Sequence, residues 1–222
     1  MTAALLIQHG LRVIRERGLA SQGQLIKIGG NRLEGLDMYK FEFDEFFWIA
    51  TVTLPVWSGF RPKTEHFGDI ESKDLERGTV QVLFAPEGRG EEPLVESELG
   101  LVRVFDAYHV QQAGAVMRGL FEGYPKILKD YNEASYGDDL GEFPNPPDIS
   151  SSDDLRPSIQ LHTINIHPVE RDGAPYVGYE FQCDWEEEHG LGVLMHKSRV
   201  VEIGHDDSAH TLWVVEKDAK ER

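Results

Sequence analysis

Between residues 183 and 210 the chain concentrates side chains that can hold a proton or a cation: Asp184, Glu186, Glu188, His189, His196, His205, Asp206, Asp207 and His210. Six of the nine histidines fall between residues 162 and 210, so the clustering is a property of this region and not of the whole chain. Carboxylates mixed with imidazoles suit a hard or borderline divalent ion, and a carboxylate beside a histidine also suits general acid–base work. The spacing follows no established metal motif. The metal reading therefore narrows to Glu188, His189, His205 and Asp207, with a divalent ion as the one candidate cofactor. The leading reading of the same block is structural: carboxylates in a hairpin connection are usually solvated, and Gly190 and Gly192 would serve backbone geometry. A third reading makes Trp185, Glu186, Glu188, His189, His205 and Asp207 a surface for a partner. No catalytic residue is assigned.

Elsewhere the chemistry is thinner. The chain lacks a Gly-x-Ser-x-Gly elbow, a phosphate loop ending in Gly-Lys-Ser/Thr, a His-Glu-x-x-His pair and a dinucleotide glycine fingerprint after a strand, so the hydrolase, nucleotide and zinc-protease readings have no support. Cys183 shares the parity of Tyr179 and Trp185 and reads as a core thiol, since a reactive one needs exposure and a positive neighbour. His109 lies on an apolar helical stripe. His162 and His167 are five apart, which in a regular strand puts them on opposite faces and argues against one shared metal. Trp57 and Phe60 are either exposed aromatics for a partner or, more commonly for such residues, a cover over the sheet.

The elements that must position these groups read as follows. Tyr39, Phe41 and Phe43 alternate with charged residues, Asp44-Glu45 offers a turn, and Phe47–Leu54 resumes as a strand closed by Pro55. Trp57–Gly78 has no clean period and reads as a long loop, and Thr79–Ala85 as a strand. Across 93–124, Val102, Phe105, His109, Ala113, Val116 and Leu120 form one helical stripe, with Pro125 expected to mark its end or to be followed by a short extension through Ile127 and Leu128. Gly100, Gly114 and Gly119 weaken that helix unless packing requires small residues. Ser158–His167, the alternating Val177–Trp185, Leu191–His196 and Arg199–Gly204 follow with tight links at Asp172-Gly173 and Lys197-Ser198, which makes an antiparallel meander. The alternating segment Val177–Trp185 is expected to bury one face only. The fold class is α+β: an antiparallel sheet against one long helix, plus an N-terminal helix.

Domain organisation follows from length and charge. At 222 residues and 25.1 kDa the chain suits a single α+β domain over 36–222, preceded by a helix and link over 1–35. Ile7, Leu11 and Ile14 make that first helix amphipathic, a candidate homodimer contact. The first forty residues carry six basic and three acidic groups, leaving sixteen basic against thirty-six acidic, or -20, in the remainder. That charge repels phosphate backbones and anionic lipid, so nucleic acid and membrane are not expected as partners, and a basic protein is. Residues 130–154 hold eight acidic groups and no basic one, with three prolines, and read as an acidic loop. One cysteine, no apolar run long enough to span a bilayer and no basic lead to the apolar N-terminus point to a cytoplasmic protein.

The run Trp185-Glu186-Glu187-Glu188-His189-Gly190-Leu191-Gly192-Val193, followed by Val200-Val201-Glu202-Ile203-Gly204 with Asp206, Asp207 and Ala209, resembles a bacterial family known as a domain of unknown function. Its signature is Trp-(Asp/Glu)-x-Glu-His-Gly-Leu-Gly-Val. Val52–Phe60 and Tyr176–Phe181 add looser likeness, and the whole spans roughly residues 45–210. The resemblance implies a small acidic cytosolic protein, similar in style to immunity proteins that neutralise toxins, and brings no catalytic residues with it. His205 departs from the family pattern, where a second glycine is common, and the basic N-terminal segment departs as well. The expected function is a non-enzymatic protein-binding module of the toxin-immunity type, with a divalent-metal-binding protein or metal-dependent hydrolase built on the 184–210 cluster as the alternative.

Overall fold

A computed structural model describes residues 36–61, 66–67, 69–85, 90–134 and 146–221, with the side chains of 66–67, 132–134 and 186–189 outside that description. The expected N-terminal helix, and the dimer contact assigned to it, lie outside the described residues.

The central sheet has seven strands: β1 (Glu42–Asp44), β2 (Phe47–Thr53), β5 (Thr79–Phe84), β6 (Ile159–Arg171), β7 (Ala174–Cys183), β8 (Glu186–His196) and β9 (Arg199–Gly204), hydrogen-bonded in that order. The expected meander is β6 to β9, each pair antiparallel. Its β6–β7 turn is built by Asp172 and Gly173, both at positive φ, as a two-residue hairpin turn of the favoured hand requires. Periodicity alone did not reveal how the first three strands join. β5 pairs with β6 in parallel, Gln81 opposite Thr163, so β1, β2 and β5 extend the meander into one mostly antiparallel sheet.

The segment read as a loop over Trp57–Gly78 contains a two-stranded ladder, β3 (His66–Phe67) with β4 (Ile70–Glu71), and a short helix, α1 (Ser72–Glu76). Trp57 and Phe60 are core residues that pack tilted or edge-on against Tyr179 and Phe181, the cover outcome.

The long helix, α2, runs Glu96–Ala134 with Pro125 inside it, past both the expected end at Pro125 and the short extension to Leu128. Pro125 is exposed, and the buried stripe continues beyond it through Ile127 and Tyr131, whose packing sustains the helix past the missing N–H. The first residues of the expected acidic loop are therefore helical, and Ser152–Leu155 is a short 3-10 helix whose Asp154 accepts the Ser150 and Ser151 N–H groups. The interior glycines are explained by packing: a Cβ at Gly119 would overlap Val200, and one at Gly123 would press on Ile203, both on β9. Gln112 ties the helix down, accepting from the Tyr179 hydroxyl at 2.8 Å and donating to the Lys197 carbonyl at 2.9 Å.

The opposite face of the sheet is covered too. A 3-10 helix at Asp206–Ala209 and a C-terminal helix, α3 (Leu212–Lys220), lie across it, and Val215 joins Tyr176 and Leu194 in a second small core. The alternation of β7 consequently does not mark a solvent face: Tyr176, Gly178 and Glu180 are buried as fully as Val177, Tyr179 and Phe181. Nine residues make a helix that is marginal alone, so α3 depends on its docking. Asp218 supplies much of it by accepting from Arg199 at 2.5 and 3.0 Å and from the Tyr176 hydroxyl at 2.6 Å. These donors, Arg199 first, hold the Asp218 carboxyl down at about 2.

Candidate functional site

The glycines of the 178–204 region are seats for backbone. A Cβ at Gly178 would overlap the Ala209 carbonyl, and one at Gly192 would overlap the His205 carbonyl and crowd the Ala209 N–H. Gly190, at φ +53, would bring a Cβ against the Phe181 carbonyl. The Asp206–Ala209 turn thus rests directly on the sheet because β7 and β8 present no side chain beneath it.

That seating delivers two groups into the sheet's interior. His210, which caps the turn, donates from Nε2 to Glu180 Oε2 at 2.9 Å, and the Ala209 carbonyl accepts from His167 Nε2 at 3.0 Å and Asn165 Nδ2 at 3.4 Å. His162 completes the group, its Nε2 standing 3.6 Å from Glu180 Oε1 and its Nδ1 2.8 Å from Thr163 Oγ1. Glu180 is 3% exposed and is flanked by two imidazoles, the environment a buried carboxylate needs. Burial pushes His167 down to about 4, with the neighbouring His210 acting in the same direction and the hydrogen bond to Ala209 opposing.

The opposite-face expectation for His162 and His167 is overturned here. A bulge between Leu161 and Thr163 sets both His162 and Thr163 against Glu180, so the parity changes and His162 joins Thr163, Asn165 and His167 on one face. Glu180 and Asn165 were missed by the sequence reading. The available signal was the run of polar residues at one parity of β6, opposite Gly178 and Glu180, which required a polar partner on that face.

A carboxylate between imidazoles can move a proton, but this one is sealed beneath Ala209 and His210. Among the described residues no group of three or more His, Cys, Asp or Glu is arranged to hold a metal ion.

The expected surface residues are spread along the same end of the sheet. His205 and Asp207 are exposed on the turn, whereas Trp185 is buried edge-on to Tyr124 at 6.2 Å. Glu186, Glu188 and His189 lie at the start of β8, their side chains outside the described residues. His196 sits at the far end of β8, stacked on Tyr176 and donating to the Arg171 carbonyl, and so does not join the others. His109 is half-buried against Phe105 with Nδ1 2.7 Å from the Asp106 carbonyl, and Cys183 is buried in the core.

Between α2 and this end of the sheet lies a shallow, mostly apolar cleft lined by Ile127, Asp130, Tyr131, Trp185, Leu191 and His205. It encloses about 20 Å³, room for about one water molecule and too little for a metabolite. The carboxylate Asp130 stands at its edge, held below its ordinary range by Lys126, which donates at 2.6 Å, and to a smaller extent by His205. Nearby on β9, Glu202 keeps Oε2 buried without a hydrogen-bond partner, and burial followed by the charge of Asp207 pushes its pKa up. No helix among the described residues is long and apolar enough to cross a membrane.

A family model described as a domain of unknown function, DUF6985, matches residues 63–211. No curated protein and no solved structure matches the chain.

Proposed function

The chain belongs to the DUF6985 family, and from that premise we propose that it is a non-enzymatic protein-binding module, of the toxin-immunity type its sequence resemblance suggests, that meets a basic protein partner. One observation carries this reading: the chain beyond residue 40 has a balance of -20, and the surface at this end of the sheet carries carboxylates of that excess, Asp130 at the edge of the small cleft and Asp207 on the turn. Asp207 is exposed, Asp130, Asp184, Glu202 and Asp206 are half-buried, and Lys126 is already committed to Asp130. A surface of one sign beside an apolar floor speeds association with a partner of the other sign and makes the association salt-dependent. The glycine-seated turn gives that surface a rigid base.

The experiment is affinity capture from an extract of the source organism at low ionic strength, with the retained protein identified, purified and titrated back against the full chain. The expected result is a basic partner whose affinity falls steeply as salt rises. An extract that yields no specific partner, or a purified partner whose affinity ignores salt, refutes the reading.

A further inference from the structure

The two faces of the sheet are covered by different chemistry. α2 brings Val102, Phe105, Val116, Leu120 and other apolar side chains into the main core, whereas Val215 is the one large apolar side chain of residues 205–221 that is fully buried. What fixes the Asp206–Ala209 turn and α3 is mostly polar: His210 on Glu180, the Ala209 carbonyl on His167 and Asn165, and Asp218 on Arg199, Arg171 and Tyr176. Asn165 Oδ1 is buried in this layer without a hydrogen-bond partner, an unfavourable term present only while the layer is shut. No strand of the described sheet follows residues 205–221, so the segment can lift with all seven strands still paired. We propose that residues 205–221 form an acid-released cover: protonation of His167 favours a state in which the turn and α3 leave the sheet together, uncovering Tyr176, Leu194 and Glu180, while the sheet and α2 stay folded.

The sign follows from the buried imidazole. Burial holds His167 at about 4 against 6.5 for a free histidine, and the neighbouring His210 acts in the same direction. An opened state in which His167 meets water therefore binds its proton more tightly than the closed one, so closure is favoured fully above pH 6.5 and progressively less down to about pH 4. The other groups of the layer do not reverse this. On the strands, His162 and Arg171 come from β6, Glu180 and Tyr176 from β7, His196 from β8, and Arg199 and Glu202 from β9. The cover adds Asp206, Asp207, His210 and Asp218. Glu180 is the one fully buried carboxylate among the described residues, and it already stands between His162 and His210, so a cation at His167 gains no buried counter-charge of its own. Asp218 is held at about 2, chiefly by Arg199, so the ion pairs of α3 outlast the imidazole as pH falls.

The test is hydrogen exchange of the full chain at pH 7 and pH 5, corrected for the chemical exchange rate at each pH, in wild type and His167→Gln. At both pH values the opening constant of residues 212–220 should exceed that of β7 by about tenfold or more, because the cover leaves before the sheet unfolds. Between pH 7 and pH 5 it should rise about twentyfold more in wild type than in the variant, the ratio set by 6.5 and about 4 for one proton. Equal opening of 212–220 and β7 would mean that the segment leaves only on global unfolding, and an equal rise in both proteins would mean that α3 frays without uncovering His167; either result overturns the cover. Should His167→Gln fail to fold, wild type alone decides: opening of 212–220 that matches β7, or that does not rise between pH 7 and pH 5, refutes the proposal.

Discussion

His167 ties the sheet to the turn that covers it, and its environment makes a definite demand on pH. Its Nε2 donates to the Ala209 carbonyl at 3.0 Å in a site 2% exposed, with His210 close by. Burial lowers its pKa from the ordinary 6.5 to about 4, so the unfolded chain binds this proton more readily than the folded one at every pH between those values. Stability from this group is therefore complete above pH 6.5, declines as pH falls and stops declining below about pH 4. At pH 5 an unfolded imidazole is almost fully protonated and the folded one almost fully neutral, which puts the loss relative to pH 7 at about 2 kcal/mol. The assay is urea unfolding of wild type and His167→Gln across that range. Glutamine can still donate to Ala209 but binds no proton, while Glu180, His162 and His210 are common to both proteins. Wild type should lose about 2 kcal/mol more than the variant between pH 7 and pH 5. Parallel stability curves, or a steeper fall in the variant, would show that His167 does not stay neutral in the fold.

Three other outcomes test the same architecture. Gly178→Ala should destabilise by about 3 kcal/mol or more, because lifting the Ala209 carbonyl breaks the contacts of His167, Asn165 and His210 together, whereas Gly100→Ala, with open space around its Cβ, should be neutral or up to about 1 kcal/mol stabilising; paired urea melts decide it. Asp218→Ala should cost about 2 kcal/mol and strip hydrogen-exchange protection from residues 212–220 while β7 stays protected, and with Asp218 held at about 2 the wild-type contribution should persist as pH falls to about 4 and vanish towards 2; uniform loss of protection would refute the docking role. Zinc, manganese or calcium added to chelator-treated protein should leave the melting temperature unmoved, since no group of three or more His, Cys, Asp or Glu among the described residues is arranged to hold an ion; a rise with one ion would revive the metal reading of Glu188, His189, His205 and Asp207.

Much of the scaffold was legible in the chain itself. The two-residue period across Val177–Cys183, the Asp172-Gly173 turn and the three-and-four stripe of the long helix are local signals, because strand and helix periods are properties of neighbouring residues. Pro125 misled, since a helix stop is local only where nothing distant rewards continuation, and here Ile127 and Tyr131 are paid for by the core.

The block from Trp185 to Val193 was recognisable as special, and the structural reading of its glycines was correct, but the sequence did not say what they seat. That the Asp206–Ala209 turn folds back over Gly178 and Gly192 depends on contacts between residues up to about thirty positions apart, which no local period encodes. The bulge at His162 is smaller still as a signal: one extra residue reverses every parity argument downstream of it, and only the β6–β7 pairing register shows where it lies. By itself, then, the sequence determined the α+β class, the meander, the acidic surface and the region of interest. Only the tertiary structure decided that Glu180, silent in the sequence, sits between His162 and His210, and that Trp185 forms the floor of a cleft instead of an exposed surface. The physical reason is that a buried polar group is defined by the partners packed against it, and those partners come from elements far apart in the chain.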